Sequence, residues 1–158
     1  PVKETERAVR ALADLAINGW KVSAGAILPL IALLGGSDTV NQHAALALGT
    51  LALNDDNRAT IASACAIPLL ITLLIALLGG SDIVKAYAAL ALARLARNDD
   101  NRAMIASLGG IPPLTALLSG SGEAKEQAAR ALNAINAPAA DQDARRDRKK
   151  MKTAHDES

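Results

Sequence analysis

The sequence predicts an all-α chain folded as a solenoid, with three helices to each repeat. Three observations lead there. The pentapeptide NDDNR at Asn54–Arg58 is spelled again at Asn98–Arg102, and its surroundings recur with it in the same order. Apolar residues make up 51% of the chain, yet the aromatics amount to Trp20 and Tyr87 with no Phe. The core therefore has to be assembled from Leu, Ile and Ala, which favour helix over strand. Glycine and proline stand at recurring places in the units, where helices should end and begin.

The landmarks give the unit length. LLGGSD stands at Leu33–Asp38 and Leu77–Asp82, with a weaker echo, LLSGSG, at Leu117–Gly122. Gly35 to Gly79 is 44 residues, and Gly79 to Ser119 is 40. The difference lies between Ile67 and Gly79, 12 residues where Ile27–Gly35 and Ile111–Ser119 each take 8. Four residues is about one helical turn, so the second repeat should carry a longer middle helix with its apolar face displaced by only about 40°. A period of this size belongs to solenoids.

The elements follow in order. Residues 4–17, with RAVRALADLAIN from Arg7, form the last helix of a truncated repeat, and Ala8, Leu12 and Leu15 should be its packing side. Repeat one is 18–53, repeat two is 54–97 with the four-residue insertion, and repeat three is 98–137. After each pentapeptide comes a short helix, RATIASA or RAMIASL. A second helix begins at the proline-containing step (Pro68, Pro112), where a fixed φ and a missing N–H do no harm. The third is the alanine-rich HAALALGTLALN, YAALALARLARN or QAARALNAIN. Gly25 and Gly109 stand just before the second helix, where a sharp bend wants φ > 0. Cys65 replaces that glycine in repeat two, so its bend either differs or is strained. Ser37-Asp38 and Ser81-Asp82 should cap the long helices. Asp55, Asp56 and Asn57 should cap the short helix and favour its positive dipole end.

The AI-L-P-L, AI-P-L-L and GI-P-P-L segments at Ala26, Ala66 and Gly110, the GGSD turns and the AALALxxLA helices together resemble the armadillo repeat, over residues 4 to 137. The resemblance implies a right-handed α-α superhelix acting as a non-catalytic protein-interaction scaffold. HEAT repeats, two-helix units, leave the short helix before the Gly and Pro unexplained. The style of the IPPL segments resembles the arrays of plant-type ubiquitin-ligase and vacuolar scaffold proteins. Substrate recognition within a ubiquitin ligase is therefore the alternative function, and an importin-α-like transport adaptor the third. The latter family's groove carries Trp with Asn four residues on, whereas this chain has Arg10 and Asp14, Leu46 and Thr50, Leu90 and Arg94, Arg130 and Ala134.

Catalysis and metal binding find no support in the pattern. Read as a calcium loop, the pentapeptide segment lacks the glycine at position six and the glutamate at twelve. His43 and His155 recur with no Cys or Ser partner, Cys65 occupies a bend, and no G-x-x-x-x-G-K-[ST] loop exists. No cofactor is expected. The scarcity of aromatic platforms argues against single-stranded nucleic acid. The longest apolar run, Ala64–Leu78, is 15 residues and short of the roughly 20 a bilayer span needs, so a buried helix is expected.

A protein or peptide partner remains. In armadillo proteins the third helix lines the concave groove. The helical register splits repeat one into a packed stripe of Ala44, Leu48, Leu51 and Ala52 and an opposite face of His43, Leu46, Thr50 and Leu53. The same register gives Arg7, Arg10, Asp14 and Ile17, then Tyr87, Leu90, Arg94 and Arg97, then Gln127, Arg130, Ala134 and Ala137. Five of the seven arginines before Ala137 fall on this face with one acid, although residues 1–137 as a whole carry 11 basic and 11 acidic residues. Two readings stand side by side: arginines that hold an acidic extended peptide, and arginines that merely solvate an exposed helix face.

Residues 138–158 form a charged tail expected to be disordered, and Ala144–Lys152 holds six basic residues and one acid, either a localisation signal or a solvated segment. One cysteine and the lack of a leader or an N-x-[ST] acceptor predict an intracellular protein, cytoplasmic or nuclear. The first helix lacks the two helices that should cover it. The span alone is expected to self-associate through its exposed ends or to be marginally stable, and the native protein to continue upstream.

Overall fold

The computed structural model describes residues 2–17, 24–76, 81–138 and 151. Among them every regular element is a helix. The order is α1 (Val2–Ile17), a 3₁₀ turn (Ala24–Ala26), α2 (Ile27–Ala32), α3 (Asp38–Leu51), α4 (Asp55–Ser63), α5 (Ala66–Ala76), α6 (Asp82–Leu95), α7 (Asp99–Ser107), α8 (Ile111–Leu117) and α9 (Gly122–Ile135). The second GGSD turn at Gly79 and Gly80 and the tail, apart from Pro138 and Met151, lie outside the described residues.

The long helices α1, α3, α6 and α9 stack in chain order, each on the next, while α2, α5 and α8 pack against α3, α6 and α9 respectively. The buried faces of the long helices are rich in alanine. Ala44, Ala45, Ala47, Ala88, Ala89, Ala91, Ala128 and Ala131 are fully buried. Side chains this short let helix backbones approach closely. At Gly49 a methyl group would stand 3.3 Å from the Ala91 Cα. Larger residues fill the space behind the row, with Ile27, Leu30, Ile67, Leu70, Leu74 and Leu114 fully buried on α2, α5 and α8. The middle helix of the second unit, α5, is 11 residues long where α2 has 6 and α8 has 7, as the extra turn in the sequence requires. No single described helix is long and apolar enough to cross a membrane, and α4 and α5 meet at a 75° bend.

The repeated pentapeptide is a staple working in both directions. Asn54, not the aspartates, is the N-cap of α4. Its Oδ1 accepts from the backbone N–H groups of Asp56 (2.9 Å) and Asn57 (3.2 Å), and Asn98 caps α7 through Asn101 N–H at 3.0 Å. Both short helices therefore start inside the pentapeptide, three residues before the expected RATIASA and RAMIASL. The rest of the motif reaches backwards. Asn57 Nδ2 donates to Leu51 C=O (3.1 Å) and Arg58 Nη1 to Ala52 C=O (2.9 Å), so carbonyls at the end of α3 gain partners. Asp55 holds the Arg58 guanidinium, and Asp99 holds that of Arg102. In the second copy Asn101 Nδ2 bonds Leu95 C=O (3.1 Å), while Arg102 turns forward to Ala137 C=O (3.0 Å) beyond α9.

Other local expectations are corrected. On α1 the buried residues are Val9, Ala13 and Ala16, with Leu12 half-buried; Ala8 and Leu15 are exposed. The helix is rolled so that Val9, Ala13 and Ala16 form its buried side. Gly25 lies within the 3₁₀ turn, where φ is negative, so it supplies no left-handed bend. Gly109 does, at φ +78°, and Cys65 adopts the same region at +62°. The strained alternative holds in repeat two. Ser37 caps α3 through Val40 N–H (3.4 Å), but Ser81 makes no side-chain cap, and Asp82 instead holds Lys85 Nζ at 3.1 Å. Asn41, four residues after Ser37, is buried and ties down the first GGSD turn, accepting from Gly35 N–H (2.8 Å) and donating to Gly36 C=O (3.1 Å).

Cys65→Gly should raise unfolding free energy by about 1 kcal/mol, since relieving left-handed strain of about 1–2 kcal/mol outweighs the added chain entropy of glycine. A urea midpoint that falls instead would contradict the strain. Asn101→Ala should cost about 1–3 kcal/mol by orphaning buried carbonyls; a loss within experimental error in the same titration would show that the staple is dispensable.

Candidate functional site

Ten of the sixteen residues the register selects line two clefts on the helix row. The larger, about 400 Å³, is lined by Leu53, Leu90, Ala93, Arg94, Arg97, Gln127, Arg130 and Ala134. Arg94 sits in the last turn of α6. The helix ends at Leu95, and Arg97 follows in the turn, its N–H donating to Arg94 C=O at 3.3 Å. Arg130 projects from the neighbouring α9. Close stacking of α6 on α9 thus brings three guanidiniums to one opening.

No carboxylate lines this cleft, and none of the three arginines makes an ion pair or side-chain hydrogen bond among the described residues. The consequence is visible on Arg94. Burial lowers its pKa from the ordinary arginine value, and the positive charges of Arg97 and Arg130 push it the same way. It remains a cation, because an arginine pKa starts far above neutrality. Arg94 is half-buried. Leu53, Leu90, Ala93 and Ala134 supply an apolar wall beside the charges. Gln127 is 6% exposed, and its Oε1 is buried without a hydrogen-bond partner among the described residues.

The second cleft, about 280 Å³, lies between α1 and α3 and is lined by Lys3, Glu6, Arg7, Arg10, Thr39 and His43. It contains a carboxylate, and Glu6 Oε1 accepts from Ser37 Oγ at 3.2 Å. The remaining face residues do other things. Leu46, Thr50 and Tyr87 are half-buried, and Thr50 Oγ1 donates to the Leu46 carbonyl at 2.8 Å, one turn back on its own helix. Asp14 is exposed and lines neither cleft. Ile17's side chain lies outside the described residues. Ala93, Lys3, Glu6 and Thr39 were missed by the register because each stands one or more helix positions to the side of the selected stripe, where only the curvature between neighbouring helices decides whether a residue reaches the cleft. Among the described residues, no three of His, Cys, Asp and Glu converge on a point that could hold a metal ion.

Comparison with known proteins follows this geometry. Residues 98–133 match the family model described as Armadillo/beta-catenin-like repeat. Among solved structures the chain is similar to an engineered protein at 34% identity and TM-score 0.73, over 82% of this chain and 55% of that one. It is similar to a designed armadillo repeat protein in complex with the peptide (KR)4 at 29% identity and TM-score 0.72, over 82% of this chain and 56% of that one. Computationally designed armadillo repeat proteins for modular peptide recognition show 29% identity and TM-score 0.74, over 86% of this chain and 60% of theirs. The chain spans little more than half the length of these proteins. No curated protein matches it.

The crowding of like charges has a measurable signature. Arg97→Gln should raise the melting temperature at low ionic strength, and the gain should shrink in about 0.5 M salt, where the screening length falls to a few ångströms. A destabilised variant at low salt would mean that Arg97 has a stabilising partner.

Proposed function

The chain is an armadillo repeat protein, and on that premise we propose that it is a non-catalytic scaffold which holds an extended acidic peptide along the exposed face of α3, α6 and α9. The observation that carries this reading is the cluster of Arg94, Arg97 and Arg130 in one cleft without a carboxylate to neutralise it. A bound acid relieves the mutual repulsion of the three cations and accepts bidentate hydrogen bonds from their planar heads. The apolar wall of Leu53, Leu90, Ala93 and Ala134 accommodates an aliphatic side chain next to the acid. Armadillo proteins designed for modular peptide recognition, and one in complex with the basic peptide (KR)4, support peptide binding as the general mode. The arginines here favour the opposite sign of charge, since like charges brought together select against a basic guest.

The direct test is binding of two labelled octapeptides, one of alternating Asp and Glu and one of alternating Lys and Arg, measured by fluorescence anisotropy. The acidic peptide should bind and the basic one should not. Arg94→Glu with Arg97→Glu should reverse the preference, with at least about a tenfold loss for the acidic peptide. Unchanged affinity in the double variant would move binding away from this cleft.

A further inference from the structure

Resting on the acidic-peptide reading, we infer that the cleft of Arg94, Arg97 and Arg130 is a phosphate site, which takes the phosphoryl group of a phosphorylated serine or threonine in the bound peptide. The argument starts from charge. Three permanently protonated guanidiniums face one opening with no carboxylate among the lining residues. A Glu or Asp side chain brings one negative charge, whereas a phosphorylated side chain brings about −1.5 to −2 at neutral pH and three acceptor oxygens. The end of α6 adds an opposing field, because a helix C-terminus carries roughly half a negative charge. Three full positive charges outweigh it.

Shape points the same way. Arg94 and Arg97 approach from the end of α6 and Arg130 from α9, so the donors come from two helices rather than lying in one plane. A planar carboxylate has two oxygens and suits one guanidinium fork at a time; a tetrahedral phosphoryl group presents oxygens to all three. The volume of about 400 Å³ leaves room for the residue that carries the phosphate and for a neighbour against Leu53 and Leu90. The apolar wall keeps water from one side of the cluster and so strengthens each charge-assisted bond.

The experiment uses the full chain and a labelled pentapeptide, Gly-Ala-Xaa-Ala-Leu, in which Xaa is phosphoserine, Glu or Ser, with anisotropy as the readout. The phosphoserine peptide should bind about tenfold or more tightly than the Glu peptide, and the Ser peptide should not bind. Arg97→Gln and Arg130→Gln, both at exposed positions, should each remove most of that preference while circular dichroism stays unchanged. Inorganic phosphate should displace the peptide only at far higher concentration than unlabelled phosphoserine peptide does. Equal affinity for the phosphoserine and Glu peptides overturns the phosphate inference and leaves the acidic-peptide reading standing. Failure of both these peptides and of the alternating Asp/Glu octapeptide overturns the two together. Full retention of the preference in both Gln variants places the phosphate elsewhere, and displacement by inorganic phosphate at equal concentration makes the ligand a free ion; either result rejects the inference.

Discussion

Contact between long helices through methyl groups is the constraint on which the rest of this structure depends. Alanine fills half of the buried positions on α3, α6 and α9, and Gly49 lies against Ala91, so close approach of backbone to backbone helps set their separation. Such a surface has few rotamers to choose from and loses little side-chain entropy on burial. Leucines and isoleucines on α2, α5 and α8 supply the larger apolar area, but they act from behind the row. One role is spacing and the other is bulk. Because spacing is tight, residues on the outer side of adjacent helices are brought within reach of each other, and the cleft between α6 and α9 follows.

Arginine serves two opposite purposes in this arrangement. Arg58 and Arg102 are nearly buried and fully employed, each held by an aspartate three residues earlier and donating to backbone carbonyls. They need no ligand. Arg94, Arg97 and Arg130 are gathered without acids, and the half-buried Arg94 bears the electrostatic consequence. A net-neutral solenoid thus holds a local concentration of positive charge, which the overall balance of the sequence conceals. The field of such a cluster acts on an approaching anion over about a Debye length.

The periodic features were legible in the sequence because they are set by repetition: the helical class, the longer α5, and the stripe Ala44, Leu48, Leu51 and Ala52, all buried. What sequence reasoning missed were choices between chemically equivalent partners. Asn54 and Asp55 are both good cap residues, and only the path of the chain leaving α3 decides that the asparagine caps while the aspartate takes Arg58. On α1 the larger Leu15 looked the better core residue, yet the roll of the helix against α3 buries Val9, Ala13 and Ala16, and nothing in the local sequence fixes that roll. Asn41 escaped notice because nothing local marks a mid-helix asparagine as the brace of the preceding turn. Of the inferred face, Leu90, Arg94, Arg97, Gln127 and Arg130 meet in one cleft, but the depth of each and the orphaned oxygen of Gln127 emerge only from the packing of two helices.

Arg102 differs from its counterpart Arg58 in one respect that bears on how the array comes apart. Arg58 reaches back to the helix before it; Arg102 reaches 35 residues ahead, to a carbonyl beyond the end of α9. In stacked repeats each unit is held by its own internal contacts and by those with its neighbours. A bond from the start of α7 to the exit of α9 ties the first and last elements of the third unit together. Its helices are thereby coupled, so that displacing one disturbs the anchor of another.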